Sequence, residues 1–221
     1  MSSVLCVRAA PGQRSGLTVI GPRTRASYYP GKDFPLCLKA RLRPGTARLL
    51  LGIPASQLAG QVISLGELRD ASGPPPSVPT GTAAPQLVLK HLEQALLPRI
   101  SARTTADLAR SELARAAASE LAGHPGRAPQ PVRSVAQQLS VSERHLRNLF
   151  SDCIGLPPKR FQRIARVRRV LAHGQSSTSW AHLAVTAGYY DQSHMTAEFR
   201  TMMGVPPAAF FAGHLPPLQP C

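Results

Sequence analysis

A twelve-residue pattern occurs twice in this chain. Phe150 to Phe161 (FSDCIGLPPKRF) and Phe199 to Phe210 (FRTMMGVPPAAF) both follow F-x4-G-x-P-P-x-x-F, and the second copy lies 49 residues after the first. The register extends upstream, where His145-Leu146 precedes Phe150 as His194-Met195 precedes Phe199. A repeat at this period marks a duplicated supersecondary unit. The pattern itself is structural: the glycine stops one helix, the prolines start the next, and the aromatic residue packs beneath.

The residues before each copy predict two short helices meeting across a turn. In the first unit, Val135 to Leu139 is the leading helix, and Ala136 is the small residue that a steep helix crossing needs. Ser140-Val141 makes the turn, and Ser142 is suited to cap the next helix through its hydroxyl. That helix, Glu143 to Phe150, turns Leu146, Leu149 and Phe150 inward at i, i+3, i+4 and leaves Arg144, Arg147 and Asn148 outward. In the second unit, Ala184 and Gly188 stand where Ala136 and Ser140 stand. Tyr189-Tyr190-Asp191 is a turn one residue longer, with Asp191 as N-cap. Met195 and Phe199 face inward, and Gln192, Ser193 and Thr196 face outward. Between the units, Pro158 to Leu171 reads as one long helix with Phe161, Ile164, Ala165, Val167, Val170 and Leu171 buried. Its Arg160, Arg163, Arg166 and Arg169 form a basic stripe, equally suited to a solvated face and to a surface tracking a nucleic-acid backbone. Ser176 to Ser179 links it to the second unit.

The residues A-x3-S-x-S-x-x-H-L-x3-F-x4-G-x-P, then R-V-x-x-V-L, then A-x3-G-Y-x-D-Q-x-H-M-x3-F-x4-G-V-x-P together resemble the AraC/XylS family of transcription regulators. The likeness covers about 85 residues. It implies seven helices arranged as two helix-turn-helix subdomains on one rigid helix, with two recognition helices entering adjacent major-groove segments roughly 34 Å apart. The residues it assigns to double-stranded DNA are Ser142, Arg144, His145, Arg147 and Asn148 in the first unit. In the second they are Gln192, Ser193, Thr196 and Arg200, with Arg133 as a further backbone contact. The chain departs from the family at three places: Ser140 where glycine is usual, and Asn148 and Ala197 where arginine is usual. Asn148 retains the capacity to pair with adenine, whereas Ala197 donates nothing, which leaves Gln192 and Ser193 to carry the second reading.

The composition agrees with a polyanion partner. The chain has 26 Lys+Arg against 11 Asp+Glu, a net charge of +15, and only four of the 26 are lysine (Lys32, Lys39, Lys90, Lys159). Arginine suits bidentate contact with phosphates and guanine edges, although an arginine-rich codon bias yields the same excess. Cys6, Cys37, Cys153 and Cys221 show no paired spacing, which points to a reducing compartment and a cytoplasmic protein. Cys153 reads as a small buried residue and Trp180 as core. No apolar run approaches the roughly 20 residues of a membrane span. His145 and His194 read as structural or phosphate-contacting, since no metal-ligand spacing accompanies them; no metal or cofactor is expected.

Upstream of the repeat the pattern changes. Gly16 to Ile20 and Leu36 to Leu42 read as strands, the second with Leu36, Leu38, Ala40 and Leu42 alternating with Cys37, Lys39 and Arg41. Thr46 to Leu51 reads as a short helix ended by Gly52, with further helical turns at Pro54 to Leu58 and Leu65 to Leu68. Residues 71–84 (ASGPPPSVPTGTAA) have linker composition. Residues 85–121 predict two helices, with Leu87, Leu89, Leu92, Leu96 and Leu97 on one apolar face of the first, and Leu108, Leu113 and Leu121 with many alanines marking the second, broken by His124-Pro125-Gly126. The expected organisation is a β-rich segment at 1–70, a linker at 71–84, a helical connector suited to homodimer formation at 85–125, and the double helix-turn-helix at 126–214. Gly21 to Arg25 and the run from Arg41 to Leu58 resemble the later half of a sensor-like β domain in one group of AraC-like regulators. A closed barrel needs about eight strands, so the chain is expected to begin inside a domain. The fold class is therefore α+β: an all-α C-terminal domain with two helix-turn-helix units joined by a long helix, preceded by an incomplete β-rich segment.

Three functions follow from these observations. The first is a sequence-specific transcription regulator, expected to activate, with RNA polymerase as a partner by resemblance and no effector small molecule identified. The second is a degenerate module binding DNA through charge alone. The third is an alkylation-repair protein, which needs a cysteine-rich metal site upstream or an active-site P-C-H-R, and neither VLCVR around Cys6 nor PLCLK around Cys37 fits; no G-x-S-x-G, P-loop or H-E-x-x-H occurs, so no enzyme is expected.

Overall fold

The computed structural model describes residues 4–9, 16–31, 36–64, 85–123, 129–177 and 179–219. The described residues are mostly helical, with a small antiparallel sheet at the N-terminal end. The chain divides into two compact units. One comprises Met1–Pro22, Lys32–Ala116 and Arg144–Leu156, and the other comprises Arg23–Gly31, Ala117–Glu143 and Pro157–Cys221. Each is described by itself.

In the first unit, strands β1 (Val4–Ala9), β2 (Gly16–Ile20), β3 (Leu36–Arg41) and β4 (Val62–Ser64) lie in the order β3-β1-β2-β4, every neighbouring pair antiparallel. Alternation sends Leu17 and Val19 into the core while Lys39 and Arg41 stay exposed. Helix α1 (Thr46–Leu51) ends at Gly52, whose N–H donates to the Arg48 carbonyl from a left-handed conformation. A 3-10 turn follows at Ala55–Leu58. Leu42, Leu50, Leu51, Ile53, Leu58 and Leu92 complete this core. Leu65 to Leu68, the 71–84 stretch and His124-Pro125-Gly126 lie outside the described residues.

Helices α2 (Pro85–Ser101) and α3 (Thr105–Ala122) occupy the expected helical stretch, but their buried faces differ from the leucine pattern. On α2 only Leu92 of the five leucines is buried, while Leu87, Leu89 and Leu97 are exposed. Leu92, Leu96, Arg99 and Ile100 share the inward side at helical spacing, and Leu87 and Leu97 fall off it. On α3 the inward stripe is Ser111, Ala114, Ala117, Ala118 and Leu121, so of the three expected leucines Leu121 is buried, Leu113 is half-buried and Leu108 is exposed. Close approach explains Ala114: a side chain at Gly45 would sit 2.6 Å from the Ser111 carbonyl oxygen and 3.5 Å from the Ala114 methyl.

In the second unit, α4 (Val132–Gln138) starts three residues earlier than its sequence pattern, behind Pro131. Helix α6 (Pro158–His173) carries Phe161, Ile164, Val167 and Val170 on its buried side, with Ala165 and Leu171 half-buried. Helices α7 (Trp180–Ala187), α8 (Gln192–Met203) and α9 (Pro207–Phe211) follow. Trp180 is half-buried against Phe211, and Phe210 meets Phe199 edge-on at 5.7 Å.

Candidate nucleic-acid interface

The repeat is realised residue by residue. Leu146 and Met195 are fully buried, as are Phe150 and Phe199. Gly155 and Gly204 follow the two exposed helices at the same left-handed φ of 82°. Pro158 and Pro207 sit buried in the first turns of the helices that follow. Ser140 holds φ 54° and Gly188 holds φ 87°, so the turn residue is left-handed in both units. Ser140 is the one non-glycine residue with positive φ among the described residues.

Helix α5 (Glu143–Cys153) belongs with the first unit and runs three residues beyond Phe150, because Cys153 continues the buried face of Leu146, Leu149 and Phe150. Burial pushes the Cys153 thiol above its ordinary value, and the neighbouring Asp152 charge adds to this. Ser142, Arg144, His145, Arg147 and Asn148 are all exposed, so the structure brings the first predicted set onto one helix and the residue before it. At the far end, the Asp152 carboxylate receives Arg48 from α1 and the Arg110 guanidinium from α3, the latter at 2.9 Å. Gly155 lies so close to the 3-10 turn that a side chain there would meet the Ala55 carbonyl at 2.4 Å. The sequence pattern did not signal these contacts, since they join positions 42 to 104 residues apart.

Helix α8 carries the second predicted set in the second unit. Asp191 caps it, accepting the His194 N–H at 2.7 Å. Gln192, Ser193 and Arg200 are exposed and Thr196 is half-buried. Together with Ala197, Thr201 and Gly204 they line an open groove along the outward face. His194 meets Tyr189 edge-on at 5.3 Å. Residues 23–31, expected within the β-rich segment, lie instead at the C-terminal end of this helix. The Ala26 N–H donates to the Met202 carbonyl and the Tyr28 hydroxyl donates to the Met203 carbonyl, both at 2.8 Å. These carbonyls are among those a helix end leaves unsatisfied.

The basic stripe on α6 is largely committed within the protein, which corrects its reading as a solvated or backbone-tracking surface. Arg163 Nε donates to Glu198 Oε2 at 2.8 Å. Arg166 donates through Nε to Glu198 Oε1 at 3.2 Å and through its terminal nitrogen to both oxygens at 3.0 Å. The same guanidinium lies 5.0 Å over the Tyr189 ring. Arg169 donates to the Ala187 carbonyl at 2.9 Å. Burial pushes the Tyr189 phenol upward, helped by the Glu198 charge. Burial lowers Arg169, helped by neighbouring Arg166. Only Arg160 of the four is fully exposed. Among the described residues no group of three or more His, Cys, Asp or Glu could hold a metal ion, and no helix is long and apolar enough to cross a membrane.

Two short helices around a left-handed turn, the second exposing a polar face, make up a helix-turn-helix unit. Residues 135–213 match the family model described as a helix-turn-helix domain, of the AraC type. No curated protein matches the chain. Among solved structures it is similar to the C-terminal domain of AraT, a response regulator from Geobacillus stearothermophilus, at 20% identity and a TM-score of 0.43, covering 49% of this chain and 91% of that one. It is also similar to the DNA-binding domain of AdpA, a global transcriptional factor in complex with a target DNA, at 21% identity and a TM-score of 0.40, covering 48% and 91%. A third is a transcriptional regulator from Chromobacterium violaceum, at 18% identity and a TM-score of 0.41, covering 52% and 99%.

Proposed function

We propose that the chain is a sequence-specific transcription regulator that reads two adjacent major-groove segments with α5 and α8. The observation that carries this reading is the repeat: two exposed helices with matching buried positions and different outward residues. Arg144, Arg147 and Asn148 offer bidentate donors for guanine and a pair for adenine; Gln192, Ser193 and Thr196 offer shorter-range readers. Ser142, His145, Arg133 and Arg200 serve the phosphates, which fix register without specifying sequence. Activation through RNA polymerase, a cytoplasmic location and a homodimer formed through residues 85–125 belong to this proposal.

A selection on random duplex DNA, with affinities measured across salt, tests it. Two short boxes about one helical turn apart are expected, and Arg147→Ala should relax one box at a cost of about 1–3 kcal/mol. Uniform enrichment, with affinity collapsing as salt rises, would replace this reading by charge-driven binding alone.

A further inference from the structure

Position for position, Glu198 in the second unit stands where Leu149 stands in the first. Both are buried, Leu149 at 1% and Glu198 at 5% exposure. A leucine there packs without preferred direction, because apolar burial is proportional to area and indifferent to angle. A carboxylate there accepts four hydrogen bonds from two arginines on α6. Bidentate arginine–carboxylate pairing fixes orientation as well as distance. Removing a carboxylate from water costs free energy that these bonds must recover, so burial of the pair is weak evidence for stability. The polar arrangement is better explained by geometry.

The three arginines on α6 act in succession. Arg163 and Arg166 hold Glu198 on α8, Arg166 also covers Tyr189 in the turn, and Arg169 holds the Ala187 carbonyl that ends α7. Arginines spaced three residues apart along α6 therefore engage both helices of the second unit and the turn between them. The outward residues Gln192, Ser193, Thr196 and Arg200 share α8 with Glu198, so a rotation of that helix would move every reader together.

We propose that Glu198, Arg163 and Arg166 are positioning residues that set the orientation of α8 on α6 and thereby the specificity of the second head. The proposal rests on α8 being a reading helix. It also assigns Glu198 a second effect: the carboxylate keeps Arg163, whose side chain is 42% exposed, from serving as a phosphate ligand.

The test compares the full chain with Glu198→Gln and with the double variant Arg166→Leu/Glu198→Leu, which replaces the ion pair by apolar side chains and puts at 198 the residue type found at 149. Amide hydrogen exchange on the free protein reads how firmly α8 is held, without DNA. Exchange in α8 should rise about tenfold in both variants, with α5 unchanged, while the double variant melts no lower than the parent. Unchanged exchange in α8 overturns the positioning role. On DNA, discrimination at the second box should fall about tenfold and that at the first should hold, the scale of one mismatched base pair. For Glu198→Gln the slope of log affinity against log salt should steepen by about one phosphate contact. Retained discrimination at the second box in the double variant also overturns the proposal. If the parent protein shows no two-box preference, the functional reading fails, and the exchange measurement still decides the positioning role.

Discussion

Exchanging the turn residues of the two units should have opposite consequences of very different size. Gly188 sits at φ 87°, and a Cβ there would lie 2.7 Å from Pro129 Cδ, 3.1 Å from Pro129 Cγ and 3.3 Å from the Arg169 guanidinium. Gly188→Ser therefore combines about 1–2 kcal/mol of left-handed strain with about 1–3 kcal/mol of overpacking. Lower entropy of the unfolded chain offsets about 0.4–1 kcal/mol. The net expectation is a loss of about 2–3 kcal/mol. Ser140→Gly runs the other way: it relieves about 1 kcal/mol of strain at φ 54° and returns nearly all of it as unfolded-chain entropy, leaving under about 0.5 kcal/mol. Urea unfolding of the full chain, followed by fluorescence of Trp180, measures both, because Trp180 is the single tryptophan and packs at the start of α7. With a denaturant slope of about 1–3 kcal/mol/M, Gly188→Ser should lower the midpoint by about 1 M or more. A Gly188→Ser midpoint equal to the parent's, or a Ser140→Gly loss of similar size, would refute the claim that turn geometry and Pro129 together demand glycine at 188 alone.

Two further predictions concern protonation. The Tyr189 phenol is pushed above its ordinary value of 10.0 by burial and by Glu198, so its neutral form favours the folded state. The folded state binds the proton more tightly, so stability is complete below pH 10 and falls as pH rises beyond it. Tyr189→Phe should flatten that decline in urea midpoints taken at about pH 8 and about pH 10.5, and identical declines in both proteins would count against it. Cys153 is 2% exposed and its thiol is raised by burial first. Iodoacetamide at about pH 8 should therefore leave it unmodified in native protein and label it in urea; rapid native labelling, located by mass spectrometry, would show that the buried face of α5 is open.

Local chemistry was readable residue by residue, and its reach ended where distant segments meet. Gly155 and Gly204, the following prolines, the Asp191 cap and the inward residues of α5 and α8 each depend on a window of a few residues, so periodicity and cap chemistry were sufficient. The AraC-type match over 135–213 extends that local agreement to the whole repeat. Periodicity named Leu92, Leu96 and Leu121 correctly on α2 and α3 but also Leu87, Leu89, Leu97 and Leu108, which are exposed, because which face is buried depends on the neighbour. It also left the α6 stripe undecided, since an arginine's role turns on whether an acid reaches it. Glu198 lies 35 residues beyond Arg163 and 32 beyond Arg166, and in the repeat its place belongs to a leucine. Folding alone brings these groups together, just as it brings residues 23–31 to the end of α8. A charge buried beside a partner from another element is a property of the packed interior, and the one-dimensional pattern carries only its residue types.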